Sequence, residues 1–179
     1  AGKSSIMSLL CRFYDVQQGE ILVDGVNIKD IRQTALRKNI GLVVQDIFLF
    51  SDSISNNMSL NNEKISREKI IDSAKAIGID GFIERLPLGY EQNVKERGVT
   101  LSQGQRQLIT FARALAYDPK ILILDEATSS VDTLSEILIQ KAIEKLMEGR
   151  TSIIVAHRLS TIQKCDKIIV MHKGEIRET

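Results

Sequence analysis

Two spacings of apolar residues along the chain predict its helices and strands. Short apolar runs bounded by turn residues predict strands, and apolar residues at a spacing of 3.6 predict helices. The predicted strands are Glu20–Asp24, Ile40–Val44, Ile121–Asp125, Thr151–Ala156 and Lys167–His172. The predicted helices are Lys3–Phe13, Thr34–Lys38, Lys69–Ala76, Gly81–Arg85, Gln103–Ala116, Leu134–Met147 and Leu159–Gln163. The polar, glycine-punctuated stretch Glu91–Leu101 predicts a loop.

The order of these elements predicts an α/β fold that is interrupted by helices. Alternation of strand and helix in 1–51 and again in 118–179 predicts a parallel core sheet with helices on both faces. Asp24-Gly25 predicts a tight hairpin and therefore an antiparallel β piece. We expect one domain, in which 1–51 and 118–179 form the α/β core and 52–117 form an all-helical subdomain.

The composition is typical of one globular domain and limits the classes of binding partner that the sequence implies. The chain has 179 residues, of which 43% are hydrophobic and 26% charged. Its net charge is +1, so charge alone implies neither nucleic acid nor an anionic membrane surface as a partner, and we expect no nucleic acid partner. Its two cysteines, Cys11 and Cys165, match no metal or redox spacing. No apolar run approaches the roughly 18 residues of a membrane helix, so any membrane role must come from sequence outside this chain or from another chain.

The first residues match the end of a phosphate-binding loop, G-x-x-x-x-G-K-[ST]. Gly2 would allow the backbone to approach phosphates, Lys3 would neutralise the β- and γ-phosphates, and the Ser4 hydroxyl would ligate Mg²⁺, with Ser5 following in the same helical turn. A chance N-terminal turn is the alternative for so short a match. Because only the second half of the motif is present, and 174–179 resembles half of a strand pair, we expect the chain to be part of a longer one.

A pair of carboxylates follows the buried strand Ile121–Asp125. Ligands of open parallel sheets bind at the carboxyl ends of the strands, so Asp125 and Glu126 are expected to face whatever the phosphate loop holds. Asp125 suits support of Mg²⁺, directly or through water, and Glu126 suits a general base for an attacking water. The alternative is a strand that ends in two solvated acids.

The sequence Leu101-Ser102-Gln103-Gly104-Gln105 opens a predicted helix about twenty residues before the carboxylate pair. Backbone amides, a hydroxyl and the helix dipole together make an anion site, although a simple helix cap is the alternative. At this point the sequence resembles the ATP-binding-cassette (ABC) family, whose signature is LSGGQ with a variable third position. Gln103 is such a variant.

Other motifs of the family follow in the same order. Gln45 resembles the Q-loop glutamine, and Ser130-Val131-Asp132 resembles the D-loop, where the family more often has Ser-Ala-Leu-Asp. His157 resembles the switch histidine, although by itself it could be an ordinary histidine at a strand end. The resemblance covers essentially the whole chain and implies a P-loop NTPase fold.

The resemblance implies that two such domains, identical or different, pair head to tail around ATP. ATP would lie between the phosphate loop of one domain and Ser102–Gln105 of the other, with Asp132 coupling the two sites. Glu126 and His157, together with Gln45, would take part in hydrolysis.

The same resemblance implies an Mg²⁺ ion held by Ser4, Gln45 and Asp125. Because the hydrolytic residues Glu126 and His157 are both present, we expect a competent ATPase. A regulatory cassette that binds ATP without hydrolysing it is the alternative.

Two stretches resemble exporters that carry membrane and ATPase domains on one chain. One is Asp46–Ser51 with Ser53–Asn57, and the other is Glu96–Gly98, which resembles the exporter X-loop although Lys95 replaces its usual glycine. We therefore expect ATP hydrolysis to drive export, at the cytoplasmic face of a membrane, with a transmembrane domain on the same parent chain. The alternative is a non-transport ABC ATPase of the DNA-repair or translation type.

Overall fold

A short parallel sheet lies at the centre of the computed structural model, which describes residues 2–125, 133–155 and 159–179. The strands are β1 (Leu22–Val23), β2 (Val26–Asn27), β3 (Ile40–Val43), β4 (Ile121–Asp125), β5 (Thr151–Val155), β6 (Val170–His172) and β7 (Glu175–Glu178). The parallel sheet has the order β3–β4–β5, whereas β1 with β2 and β6 with β7 form antiparallel hairpins. Val43 aligns with Leu124 and Asp125 with Val155, so the three carboxyl ends share one edge.

Helices make up the rest of the regular structure. They are α1 (Lys3–Leu10), α2 (Gln33–Lys38), α3 (Ile54–Ser59), α4 (Arg67–Ile77), α5 (Asp80–Ile83), α6 (Gln103–Tyr117), α7 (Thr133–Met147) and α8 (Leu159–Ile162). Short 3-10 turns lie at Gly89–Glu91 and Glu96–Gly98. Between β3 and β4 the chain is helical, with one isolated bridge from Ser53 to Asn93.

The sheet buries both faces, because successive side chains of β4 point to opposite sides. Leu122 and Leu124 join a large apolar cluster that also contains residues of α3, α4, α6 and α7. Ile123 packs on the other face with Val155 and with Met7 of α1. Full burial of each such side chain stabilises the fold by about 1.5–3 kcal/mol. The fold is thus the predicted parallel sheet with helices on both faces, antiparallel β pieces and an inserted helical part.

Several predicted elements differ in length from the observed ones. α1 ends at Leu10 rather than Phe13, since Arg12 has a φ of 51°, which a helix cannot continue. β6 begins at Val170 rather than Lys167. The predicted loop Glu91–Leu101 contains the 3-10 turn Glu96–Gly98, and α3 was not predicted as a helix of its own. None of the helices in the described part of the chain is long and apolar enough to cross a membrane.

Candidate functional site: a cleft at the carboxyl edge of the sheet

A narrow cleft opens where β3 and β4 end and α6 begins. Polar and apolar side chains line it together: Val43, Val44, Gln45, Ile47, Gln103, Gln107, Phe111, Leu124, Asp125 and Ile143. The space open to water there is about 20 Å³, which is room for one water molecule. Two strand ends and one helix start therefore bring three glutamines and one carboxylate to the same place.

Strand register explains why Gln45 and Asp125 meet in this cleft. Val43 and Leu124 are partners in the parallel ladder, so Asp125 is one residue and Gln45 two residues beyond the same rung. Two of the residues predicted to bind metal therefore lie together, as expected for strand ends at one edge of a sheet. The third, Ser4, is exposed on the first turn of α1 and does not line the cleft.

The phosphate-loop residues Gly2 to Ser5 form the start of α1. Gly2 has a φ of 102° and precedes the helix as its cap, while Lys3, Ser4 and Ser5 are exposed. A Cβ on Gly2 would lie 3.3 Å from the Cα of Gly174, in the turn between β6 and β7. That turn thus packs against the loop, which explains why glycine is needed here in addition to any need for close approach of phosphate.

The signature residues form the start of α6, where Ser102 and Gln105 make a reciprocal capping box. The Ser102 hydroxyl accepts a hydrogen bond from the Gln105 amide at 3.2 Å, and the Gln105 side chain accepts one from the Ser102 amide at 2.9 Å. Ser102 is exposed, whereas Gly104 is buried and Gln103 lines the cleft. Ser102 therefore caps α6, a 15-residue helix, and anion binding at this helix start remains a prediction from sequence.

Three predicted site residues, Glu126, Asp132 and His157, lie outside the described residues. Their roles therefore remain predictions from sequence. No group of three or more His, Cys, Asp or Glu side chains that could hold a metal occurs within residues 2–125, 133–155 and 159–179.

Gln107 is a cleft residue that the sequence reasoning missed. Its side chain is 7% exposed, and its Oε1 atom is buried without a hydrogen-bond partner among the described residues. The signal in the sequence was its position four residues before Phe111, which places it on the apolar face of α6. A polar residue on such a face is unusual unless it is bonded.

Beside the cleft lies a larger open groove of about 460 Å³. Three residues border both spaces, namely Gln45, Ile47 and Gln103, and the groove adds Asp46, Phe48, Arg97 and Arg106. Phe48 packs edge to face against Phe50 with ring centres 5.0 Å apart, and both rings are about half exposed. This groove combines apolar surface with charges of both signs next to the site.

Arg113 of α6 holds the segment that carries these two rings. Its guanidinium donates to the carbonyl of Asn57 at 2.7 Å and to that of Phe48 at 3.3 Å. Asn57 is fully buried, and its side-chain oxygen accepts from the Phe50 amide at 2.8 Å. Burial lowers the pKa of Arg113 from its usual value. Since Arg113 shares a helix with the signature residues, α6 is bonded directly to the segment after Gln45.

Comparison with known proteins agrees with this architecture. A family model described as ABC transporter matches residues 1–129. A probable multidrug resistance ABC transporter ATP-binding/permease protein of Bacillus subtilis is 50% identical over 178 residues, which are 99% of this chain and 26% of that protein. An ATP-dependent lipid A-core flippase of Haemophilus influenzae is 52% identical over 179 residues, covering 99% of this chain and 30% of that protein.

A solved structure extends the likeness to three dimensions. The structure of a bacterial Atm1-family ABC exporter with ATP bound superposes with a TM-score of 0.89 at 44% identity, covering 99% of this chain and 31% of that one. The chain therefore belongs to the ABC transporter family, and its fold is that of the family's nucleotide-binding domain. It spans about a quarter to a third of the length of these relatives.

Proposed function

We propose that this domain binds and hydrolyses ATP and that hydrolysis drives export by the transporter to which it belongs. The observation that carries the proposal is the meeting of Gln45 and Asp125 at adjacent strand ends, in a chain of the ABC transporter family. A mixed amide and carboxylate pair at this edge is suited to a phosphate-bound metal.

The donor atoms available at this edge fit Mg²⁺. Gln45 offers an amide oxygen and Asp125 a carboxylate oxygen, and Ser4 would add a hydroxyl, so all three ligands are the oxygen donors that Mg²⁺ prefers. The ion, when bound, neutralises charge on the transferred phosphoryl group. In this proposal Lys3 and the first amides of α1, from Gly2 to Ser5, hold the phosphates.

The hydrolytic step is assigned to Glu126 and His157 from sequence. Glu126 directly follows Asp125 and would accept a proton from the attacking water, while His157 would contact the γ-phosphate. Gln45 would orient the water or the metal.

Dimerisation of two such domains is the second part of the proposal. The exposed amino end of α6, at Ser102 to Gln105, would bind the phosphates of ATP that is held by the opposite domain, and Asp132 would couple the two sites. The exposure of Ser102 at a capped helix start supports this arrangement. An identical and a different cassette would each supply this surface.

The transport role rests on the relatives and on the groove beside the site. The relatives are described as a multidrug resistance ATP-binding/permease protein, a lipid flippase and an exporter. We assign the groove at Phe48, Arg97 and Arg106 to the membrane domain of the parent chain, at the cytoplasmic face of the membrane. The all-helical segment 52–117 would then carry motion between this groove and the α/β core of 1–51 and 118–179.

A nucleotide-binding experiment on the parent transporter tests the proposal. Lys3→Ala is expected to weaken ATP binding at least tenfold, and Asp125→Asn to abolish Mg²⁺-dependent hydrolysis. Lys64→Ala is the matched control, because Lys64 is an exposed lysine in the loop between α3 and α4 and is expected to bind ATP normally. Equal ATP affinity in all three variants and the parent would contradict the proposed phosphate loop.

A further inference from the structure

The buried amide of Gln107 is the polar group of the cleft that the proposed function leaves without a role. Its Oε1 atom is buried and has no hydrogen-bond partner among the described residues, and the residue as a whole is only 7% exposed. Buried acceptors in native proteins are hydrogen-bonded as a rule, to protein or to ordered water. We therefore expect a hydrogen-bond donor inside the cleft that bonds the Oε1 atom of Gln107.

The other polar groups that line the cleft limit the choice of donor. Asp125, when ionised, offers acceptors only. Gln45 carries two N–H groups on its side-chain nitrogen, and Gln103 carries two more. Gln103 is the third residue of the signature and is partly buried, whereas Gln45 is exposed, so exposure alone does not choose between these two amides.

Gln45 is the better candidate for the donor, because its side-chain oxygen is already assigned to the metal and its nitrogen is not. A glutamine that ligates a metal does so through its oxygen, which leaves the side-chain nitrogen free to donate. Outer hydrogen bonds of this kind orient metal ligands and raise metal affinity. Gln107 Oε1 has no direct partner among the described residues and the cleft has room for one water, so the link from the Gln45 nitrogen to Gln107 runs through a single water.

We infer that Gln107 is a positioning residue, whose Oε1 is linked through one water to the side-chain amide of Gln45 and so turns the Gln45 oxygen toward Asp125 and the metal. This inference rests on the proposed function of the same site. It links α6 to a metal ligand of its own domain, in addition to the proposed contact of its amino end with the opposite domain.

Three variants of the full-length transporter in lipid vesicles test this role. Gln107→Met keeps the length and volume of the side chain and removes the amide oxygen. Gln107→Asn keeps an amide but withdraws its oxygen by one methylene, and it tests the same bond if the methionine variant folds poorly. Thr110→Val is the matched control, since Thr110 is a buried polar residue on α6 outside the cleft.

The quantity to measure is the Mg²⁺ concentration that gives half-maximal ATPase activity at saturating ATP. Loss of an outer-shell partner of a metal ligand typically costs 10- to 100-fold in metal affinity. We expect about a tenfold rise or more in Gln107→Met and Gln107→Asn and less than a twofold change in Thr110→Val. A second measurement needs no turnover: the rise in melting temperature of the ATP-bound protein on adding Mg²⁺ should require correspondingly higher Mg²⁺ in the two Gln107 variants.

The outcomes separate this inference from the proposed function. If the parent hydrolyses ATP with Mg²⁺ dependence but both Gln107 variants keep its half-saturating Mg²⁺ concentration, the positioning role is wrong and the proposed function stands. A lower maximal rate with unchanged Mg²⁺ dependence would likewise reduce Gln107 to a packing residue. If the parent itself shows no Mg²⁺-dependent hydrolysis, the proposed function fails first.

Discussion

The amino end of α6 has two roles that a pair of substitutions at Ser102 can separate. The hydroxyl caps the helix by accepting from the Gln105 amide at 3.2 Å, and the same exposed position is proposed to face phosphate from the opposite domain. Ser102→Ala removes both functions. Ser102→Asp keeps the cap, because aspartate caps helices about as well as serine, but it places a negative charge toward the phosphates.

The two effects differ in size and in the property that they change. Loss of a serine cap costs about 1 kcal/mol, which lowers the melting temperature of a domain of this length by roughly 2–4 °C. An added charge about 4 Å from a phosphate oxygen at an effective dielectric constant of 20 costs about 4 kcal/mol, or roughly a thousandfold in affinity. Ser102→Asp should therefore fold normally and fail to assemble around ATP.

Two assays and one control test this reasoning. Thermal unfolding of the chain should show a lower melting temperature for Ser102→Ala and a near-normal one for Ser102→Asp. ATPase activity of the parent transporter should be lost in Ser102→Asp. Ser66 caps α4 through the Lys69 amide at 3.3 Å, so the same two substitutions there should reproduce the stability effects without affecting hydrolysis. Normal ATPase activity in Ser102→Asp would refute the proposed contact, and unchanged melting in Ser102→Ala would refute the capping argument.

Three further substitutions test the structure around the site, each by urea unfolding of the chain. Arg113→Met removes charge-assisted bonds to two backbone carbonyls and should cost roughly 2–4 kcal/mol of unfolding free energy. Gly98→Ala should cost roughly 1–3 kcal/mol, because its Cβ would lie 2.9 Å from Leu49 Cδ1 at a φ of 68°. The hydrogen bond from Arg150 lowers the pKa of Asp118 below its ordinary 3.8, so this stabilisation is present above that pH and lost as pH falls below it. Asp118→Asn should therefore unfold with a weaker pH dependence below about pH 4, and an unchanged dependence would contradict the assignment.

The central sheet and the signature helix were predictable because their patterns are strong and local. The prediction for β4, Ile121–Asp125, matches the observed strand at both ends, since an unbroken apolar run bounded by a proline turn and a carboxylate has few other structures. For α6, the capping serine and the apolar face fix the start and the buried side. These features depend on neighbouring residues, which a single sequence contains.

α3 could not be predicted because its stability depends on distant contacts. Its six residues, Ile54–Ser59, include two serines and two asparagines, which are poor helix formers. Asn57 is buried there because its amide bonds the Phe50 carbonyl and because Arg113, 56 residues away in sequence, bonds its own carbonyl. Tertiary hydrogen bonding outweighs local propensity in this segment.

In the candidate site, too, the residues fixed by local pattern were predictable and those fixed by distant contacts were not. Gln45 and Asp125 were predictable because strand ends of a parallel sheet meet at one edge. The role of Gln107 in the cleft, and the packing of Gly174 against Gly2, were not, because each depends on where a remote element docks. The position of Gln107 on an apolar helix face was the one local indication.

The ATPase rate of the full-length parent in lipid vesicles, with and without Glu126→Gln, tests the proposed hydrolytic site most directly. We expect Mg²⁺-dependent hydrolysis in the parent, and in the variant a loss of at least a hundredfold together with accumulation of ATP-bound dimers. A variant that hydrolyses ATP as fast as the parent would contradict the assignment of Glu126 as the base, and with it the proposed hydrolytic site.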